Sequence, residues 1–369
     1  FVERGHPTEA FTALGELADH GPLRAVLVDQ GERVLHRGGA GAVIEAVSRI
    51  PVAERDATTW QLAGAAHQVR GEWGAALACL HHAAHGLDTM PPALAARIAG
   101  MHYFSGAPEE ALAACARCRH TGADPATESR VHSIAASAHW ALGDVAGGRA
   151  AVDWAVALAE RSGDDAALAA AHTVLAMIAN VEGDRPAIVA HYQRALAHAR
   201  LAQDVLAEVR IRVNRSAHFV HEAYHQEALT ELEVALRLAD LTGFTGYRAL
   251  GLNNRGAALL GLGRLDEAAA DLRAAGAVYT DTGSRLASLS LESLGEVHRL
   301  RGERALARSA FEEAARLAED NGATPQLVPA LAGLARLLAQ EDPQAAREAA
   351  DRALACGTGF GYPAALLAA

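Results

Sequence analysis

A turn marked by glycine returns along the whole chain, and it limits the fold more than any other feature of the sequence. Aligned on that turn, Gly71, Gly106, Gly143, Gly183, Ala223, Gly263, Gly302 and Glu341 follow one another at intervals of 35 to 40 residues, the period of repeated helix pairs. One copy reads "NNRGAALLGLGRLDEAAADLRAAGAVYTDTG", from Asn253 to Gly283: a helical pattern, a turn, a second helical pattern and a glycine stop. Seven residues before the turn stand Gly64, Ala99, Ala136, Ala176, Ser216, Gly256 and Gly295, where only a small side chain lets two helix backbones approach. Leu334 breaks that rule, with Gly333 beside it. Five residues after the turn come Ala76, Ala111, Gly148, Ile188, Ala228, Ala268, Ala307 and Ala346. Gly86, Gly122, Gly163, Gly243, Gly283, Gly322 and Gly357 end the repeats, as suits the left-handed backbone past a helix C-terminus.

Composition agrees with an all-α chain. Hydrophobic residues make up 51% of the 369 but aromatic ones only 5%, and the alanine-rich remainder favours helices in close contact. A net charge of -11 argues against direct nucleic-acid binding by this segment, because phosphate contacts need clustered positive charge. Lysine is absent from the sequence, which excludes a phosphate-loop lysine, a Schiff-base lysine and a Ser-Lys nucleophile pair. Four cysteines do not make a disulfide scaffold, and no signal-peptide pattern opens the chain, so the cytoplasm is the expected compartment. The longest apolar stretch, Ala166 to Val181, is interrupted by His172 and Asn180 and reads as a buried helix, not a membrane span. The first residue is Phe1 and the last stretch "PAALLAA", which reads as a piece of a longer protein.

The register of small residues and turn glycines resembles the tetratricopeptide repeat (TPR) family in its variant of about forty residues per unit. The resemblance implies a right-handed superhelical solenoid of antiparallel helix pairs, with a concave groove lined by the first helix of each pair. The segment Glu3 to Pro51, with Gly31 and Gly38 in the same register, looks like the lead-in to the helical sensor region of bacterial signal-transduction ATPases (STAND), those similar to the maltose regulator and to antibiotic-pathway activators. On that reading residues 1–55 form a degenerate helical lead-in, 56–357 eight TPR-like helix pairs, and 358–369 the start of a truncated further helix. The implied function is a non-enzymatic sensor: an inducer or partner in the groove controls self-association and transcription through flanking domains. ATP would be held only in such a flanking domain, and no cofactor is expected here. A free-standing adaptor that binds a peptide or protein segment is the alternative. No membrane partner is expected.

Several motifs invite other chemistry. "HEAYH", from His221 to His225, has the spacing of a zinc peptidase, which needs both histidines on one uninterrupted helix. The register puts Ala223 at a turn, so no catalytic or metal role is assigned, and an adventitious site with His218 is the weaker alternative. "CARC", Cys115 to Cys118, falls where other copies place Tyr192 and Ala195 or Phe311 and Ala314, positions that read as core. His67, His102, His139 and His298 recur four residues before the turn, as rings packed between helices with locally bonded tips. His81, His82 and His85 read as a solvated edge of a second helix, although His81 and His85 have metal-sharing spacing.

If first helices line a groove as in the resembling family, the inward positions hold Thr58, Gln61 and Gln68; Tyr103 and Phe104; Arg130, Ser133 and Trp140; Thr173, Met177 and Asn180; Arg210 and His221; Asn253; and Glu292, Glu296 and Arg299. An aromatic patch beside polar residues suits a small molecule or peptide. "RIRVNRS", from Arg210 to Ser216, is an anion-accepting stretch, with Arg210 and Asn214, one turn apart, as its foremost candidates.

Overall fold

The computed structural model describes residues 6–36 and 38–359. Every regular element among them is helical; the one β-type contact is an isolated bridge between Met90 and Cys118. Three helices come first, α1 (Pro7–Gly15), α2 (Gly21–His36) and α3 (Ala40–Arg49), followed by a 3-10 turn at Val52–Glu54. Helix pairs then succeed one another: α4 (Ala57–Val69) with α5 (Trp73–Ala83), α6 (Pro92–Phe104) with α7 (Pro108–Ala116), α8 (Pro125–Ala141) with α9 (Val145–Ser162), and α10 (Asp165–Glu182) with α11 (Arg185–Leu201). They continue as α12 (Val205–His221) with α13 (His225–Thr242), α14 (Thr245–Gly261) with α15 (Leu265–Asp281), α16 (Ala287–Leu300) with α17 (Arg304–Asp320), and α18 (Thr324–Leu338) with α19 (Pro343–Gly359). The fold is an all-α, TPR-like solenoid of such pairs. Of the further helix expected from residue 358 onward, residues 360–369 lie outside the described ones.

Compact packing divides the chain into two units. The first comprises Phe1–Trp140, Asp144–Arg212 and Val234–Arg248; the second comprises Ala141–Gly143, Val213–Glu233 and Ala249–Ala369.

The turns within pairs are built alike except in α18–α19, where Glu341 is not left-handed and the Asp342 N–H instead reaches Leu338 O at 2.9 Å. Gly71, Gly106, Gly143, Gly183, Gly263 and Gly302 all have positive φ, and the next residue's N–H reaches back to the carbonyl of the residue four before the glycine. Examples are Glu72 N–H to His67 O at 3.0 Å and Arg264 N–H to Leu259 O at 2.9 Å. This is the six-to-one bond of a Schellman ending, which satisfies a terminal carbonyl and requires a left-handed residue. Ala223 takes the same role at φ +61, its neighbour Tyr224 donating to Phe219 O at 2.8 Å. Gln203, at φ +53 after α11, does so between pairs. Aspartates start many of the helices: Asp56, Asp124, Asp144, Asp164, Asp184, Asp204 and Asp342 each accept a backbone N–H three residues on, the N-cap that removes an orphan donor.

The small residues do what their register suggests, with one refinement. A Cβ on Gly64 would stand 3.2 Å from the carbonyl oxygen of Ala76, five residues after the turn, and only 2.8 Å from Leu80 Cγ. Gly256 repeats the arrangement with Ala268 O at 3.3 Å and Leu272 Cγ at 2.6 Å. Helix backbones therefore approach closely, and a large side chain nine residues after the turn fills the notch above the glycine. In α17 that side chain is Phe311, fully buried, whose ring lies against Gly295 of α16 and also against Gly333 of α18. Gly333 is thus the small residue of the last pair, used one position away from the register. Gly31 instead faces Leu62 of α4, whose Cδ1 would lie 2.9 Å from an added Cβ.

Three details differ from the sequence reading. Gly357 is not a stop, because α19 runs through it to Gly359. Cys118 is not on a second helix: α7 ends at Ala116 with Arg117 as its cap, and Cys118 then bridges to Met90, with Met90 N–H donating to Arg117 O at 2.8 Å and Arg119 N–H to Met90 O at 2.9 Å. Both Cys115 and Cys118 are nonetheless buried, and burial pushes the Cys115 thiol up to about 12, so it is a small apolar group and not a nucleophile. His85 lies past the end of α5, so it is not on the helix that carries His81.

Candidate functional site

The arginine-rich helix α12 supplies three guanidinium groups, and the structure treats them differently. Arg212, buried, donates to Glu208 Oε1 from both Nε (3.0 Å) and Nη2 (2.8 Å), one helical turn away. Arg215 pairs with Glu231 of α13 at 3.2 Å and lies over the Phe219 ring, 5.2 Å from its centroid. Arg210 has no carboxylate partner among the described residues, and its Nε is buried without a hydrogen-bond acceptor. A buried donor left unsatisfied is costly, so Arg210 marks a place where an acceptor is wanted.

What surrounds Arg210 is aromatic. Tyr103 and Phe104 end α6, and Tyr247 sits in the first turn of α14 with only 5% of its surface exposed. The Phe104 ring packs edge-on against Tyr247 at 5.5 Å and 79°, edge-on against Tyr103 at 5.5 Å, and stacked on Trp73 at 6.0 Å. Burial pushes the Tyr103 phenol up to about 12 and that of Tyr247 higher still; in both, the positive charge of Arg210 opposes the rise, and at Tyr247 a hydrogen bond from the Arg210 guanidinium does so too. Both phenols are therefore neutral donors at physiological pH. Asp204, whose charge acts on Tyr247, is engaged as the N-cap of α12, accepting from Ala207 N at 2.8 Å. The cluster thus presents donors and a positive charge.

Glycine brings these distant segments together within the first unit. A Cβ on Gly71, in the α4–α5 turn, would come within 2.8 Å of Gly246 Cα, and one on Gly246 within 2.9 Å of Trp73 Cζ2. No side chain fits between those backbones, so the α4–α5 turn and the start of α14 meet at van der Waals distance. That contact is what sets Tyr247 beside Phe104.

The other expected groove residues are placed as follows. Thr173 is buried and its hydroxyl donates to Ala169 O at 2.7 Å within its own helix, which closes it to a ligand. Asn253 is buried and accepts from Ser290 at 2.9 Å. Ser133 and Met177 are buried as well. Glu296 is held by Arg299 at 2.6 Å with Arg336 at 3.8 Å, while burial raises the pKa of neighbouring Glu292, which accepts from Ser293. Arg130 is exposed beside Thr127, and Trp140 is 36% exposed at the end of α8. Asn180, Asn214, Gln61 and Gln68 are half-buried; Thr58 and His221 are exposed. The expected set is thus divided between the two units, and Tyr103, Phe104 and Arg210 are the members that one cluster gathers. Tyr247 was missed because the register used for the other positions does not select it.

The histidine motifs are structural. His221 is the last residue of α12 and His225 the first of α13, with left-handed Ala223 between them, and the His225 ring packs on the backbone of Gly261. The single helix a zinc peptidase requires is broken. His67, His139 and His298 each contact the carboxylate five residues on, Glu72 at 2.6 Å, Asp144 at 2.9 Å and Glu303 at 2.5 Å. The Schellman turn makes those two residues neighbours. His102, followed at that spacing by Ala107, has no such acid. His81, His82 and His85 are exposed, and His82 stacks on Trp60 at 4.5 Å. Among the described residues no helix is long and apolar enough to cross a membrane.

No protein-family model matches the chain, and neither does any curated protein sequence. Solved structures are similar in fold. A chain of the APC/C hetero-tetramer Cut9-Hcn1 superposes with a TM-score of 0.61 at 14% identity, over 96% of this chain and 61% of that one. The apo form of RapI gives 0.53 at 12% identity, over 63% of this chain and 85% of that one. A STAND protein with a tetratricopeptide repeat sensor from Pyrococcus horikoshii gives 0.50 at 13% identity, over 95% of this chain and 55% of that one. The chain therefore spans little more than half the length of two of these structures. At such identities the likeness is one of fold, and that fold is TPR-like.

Proposed function

We propose that this chain is a non-enzymatic binding module that captures an acidic group of a partner protein or peptide against Arg210, with the Tyr103 and Tyr247 hydroxyls as further donors. The observation that carries this reading is the buried Arg210 Nε without an acceptor, beside neutral phenols, while Asp204, whose charge acts on Tyr247, caps α12. A carboxylate or phosphate there would form charge-assisted bonds worth about 1.5–3 kcal/mol each, and the surrounding rings supply apolar contact. Selection of peptides on the immobilised chain, then titration calorimetry of the recovered sequences, tests it. Acidic or free C-terminal groups should dominate, and Arg210→Ala should weaken binding by tenfold or more. Selected ligands that bind Arg210→Ala as tightly as the unmodified chain would sink the assignment.

We further propose that the module serves a multidomain transcriptional regulator as its sensor, with residues 1–55 as the lead-in to eight helix pairs. The fold likeness to a STAND sensor over 95% of the chain supports this. Binding would shift the population of arrangements in which a flanking ATPase domain is free to self-associate. The gene should then encode a phosphate-loop motif upstream of Phe1 or a helix-turn-helix downstream of Ala369. A gene with neither, encoding the repeats alone, favours the free-standing adaptor. A small-molecule inducer in place of a peptide would appear in the same calorimetric assay.

A further inference from the structure

We propose a second ligand site in the crevice bounded by α15, α16 and α17: it takes a small molecule with an apolar aromatic or aliphatic body that carries a hydrogen-bond acceptor, and one anionic group. The crevice lies wholly in the second unit, has a volume of about 600 Å³, and is walled by Leu272, Leu291, Leu294 and Leu317, dimensions and lining that suit a ligand of several rings or a short acyl chain.

Two observations point to a ligand. Tyr279 lines the crevice with 2% of its surface exposed, and its hydroxyl has no hydrogen-bond partner on the protein. Burial also raises its pKa, so it is a neutral donor awaiting an acceptor. Gly276 lines the same wall in the interior of α15, where alanine is the better helix former. A Cβ at Gly276 would meet only Ser290 Cβ, at an ordinary 3.7 Å, so packing does not demand glycine. Its effect is to leave the crevice open.

The charge at the rim selects the ligand's sign. Arg273 and Arg285 border the crevice. Arg273 is exposed, and Arg285 makes one long contact, 3.5 Å from Nη1 to Asn321 O. The one acid in the lining, Glu313, is held by Arg316 at 2.6 Å, so it does not neutralise the arginines. An anionic head between them, and an apolar body carrying a hydrogen-bond acceptor that reaches the Tyr279 hydroxyl, satisfy each group.

Fluorescence titration with 8-anilinonaphthalene-1-sulfonate tests the site on the whole chain. One equivalent should bind saturably. Gly276→Phe, which projects a ring into the crevice, should weaken binding at least tenfold; Tyr279→Phe should weaken it several-fold. Arg285→Glu should weaken the sulfonate about tenfold yet leave the neutral N-phenyl-1-naphthylamine unchanged, a contrast that stands even if Gly276→Phe fails to fold. Arg210→Ala should not alter either probe, which separates this site from the partner-binding reading. Absence of saturable binding, unchanged binding by folded Gly276→Phe, or equal loss of both probes in Arg285→Glu overturns the proposal.

Discussion

Phe311 offers a direct measure of how the repeats are locked together. Its ring is wedged between two glycines on flanking helices, and a Cβ on Gly295 would stand 2.7 Å from Cδ1 and Cε1. Ordinary carbon contact begins near 3.4 Å, so the ring must retreat by roughly 0.7 Å. It has little room to do so, because Gly333 also lies against Cδ1 and Cε1 and the residue is fully buried. Gly295→Ala should therefore cost about 1–3 kcal/mol in overpacking against a gain of about 1 kcal/mol in helix propensity, a net loss near 1 kcal/mol. Phe311→Ala alone should cost about 3–5 kcal/mol. In that background the clash is gone, and Gly295→Ala should turn stabilising by about 1 kcal/mol, a coupling near 2 kcal/mol. Because repeat arrays open locally, hydrogen exchange in peptides from α16 to α18 is the proper assay. If Gly295→Ala stabilises the unmodified chain, or if the coupling is below about 0.5 kcal/mol, the wedge does not govern packing there.

Three more predictions address the turns, the histidines and the site. Ala223→Gly should raise stability by about 0.5–1 kcal/mol, since a left-handed alanine is strained and its counterparts are glycine; an unchanged urea midpoint would show that the strain is absent. His172 stacks on His191 and His198, and burial first, then the charges of His191, His198 and Arg194, lower its pKa from 6.5 to about 4. Unfolded chain thus binds a proton between pH 6.5 and 4 that the folded chain refuses, so stability is complete above that window and falls as pH drops through it. Discounted for partial exposure, the loss should be about 1–2 kcal/mol, read as a shift in urea midpoint that His172→Gln removes; the acids facing the group are Asp165, which holds His198 at 2.8 Å, and Asp184, whose charge acts on His191. Arg210→Met should leave the fold equally stable or gain up to about 1 kcal/mol in thermal unfolding while losing partner binding, whereas a clear destabilisation would make Arg210 a structural residue.

How much of this was legible in the sequence depends on how local the determinant is. The Schellman turns were readable because their requirement, one left-handed residue, is written as one glycine at a fixed period. Gln203 escaped because the geometry can be met by a residue that does not advertise it, at a cost of about 1–2 kcal/mol. Gly333 was visible only as a glycine beside an exception, since its reason is a ring on the preceding helix. The early end of α7 depends on the bridge between Met90 and Cys118, a pairing that periodicity cannot express.

The same distinction explains the site. "RIRVNRS" announces positive charge but not which guanidinium lacks a carboxylate, because that is settled by acids elsewhere: Glu208 is four residues before Arg212, and Glu231 lies on the next helix beside Arg215. The helical spacing of the first pair could have been read from the sequence; the second needed the turn geometry. Tyr247 joins the cluster through a backbone contact between Gly71 and Gly246, and neither glycine reveals its distant partner in a single sequence. Arg210 is therefore distinguished by subtraction: its neighbours along the helix are satisfied by the fold, and its own buried Nε is not. The fold supplies acids to two arginines of one helix and leaves the Nε of the third, among neutral phenols, without an acceptor from the chain itself.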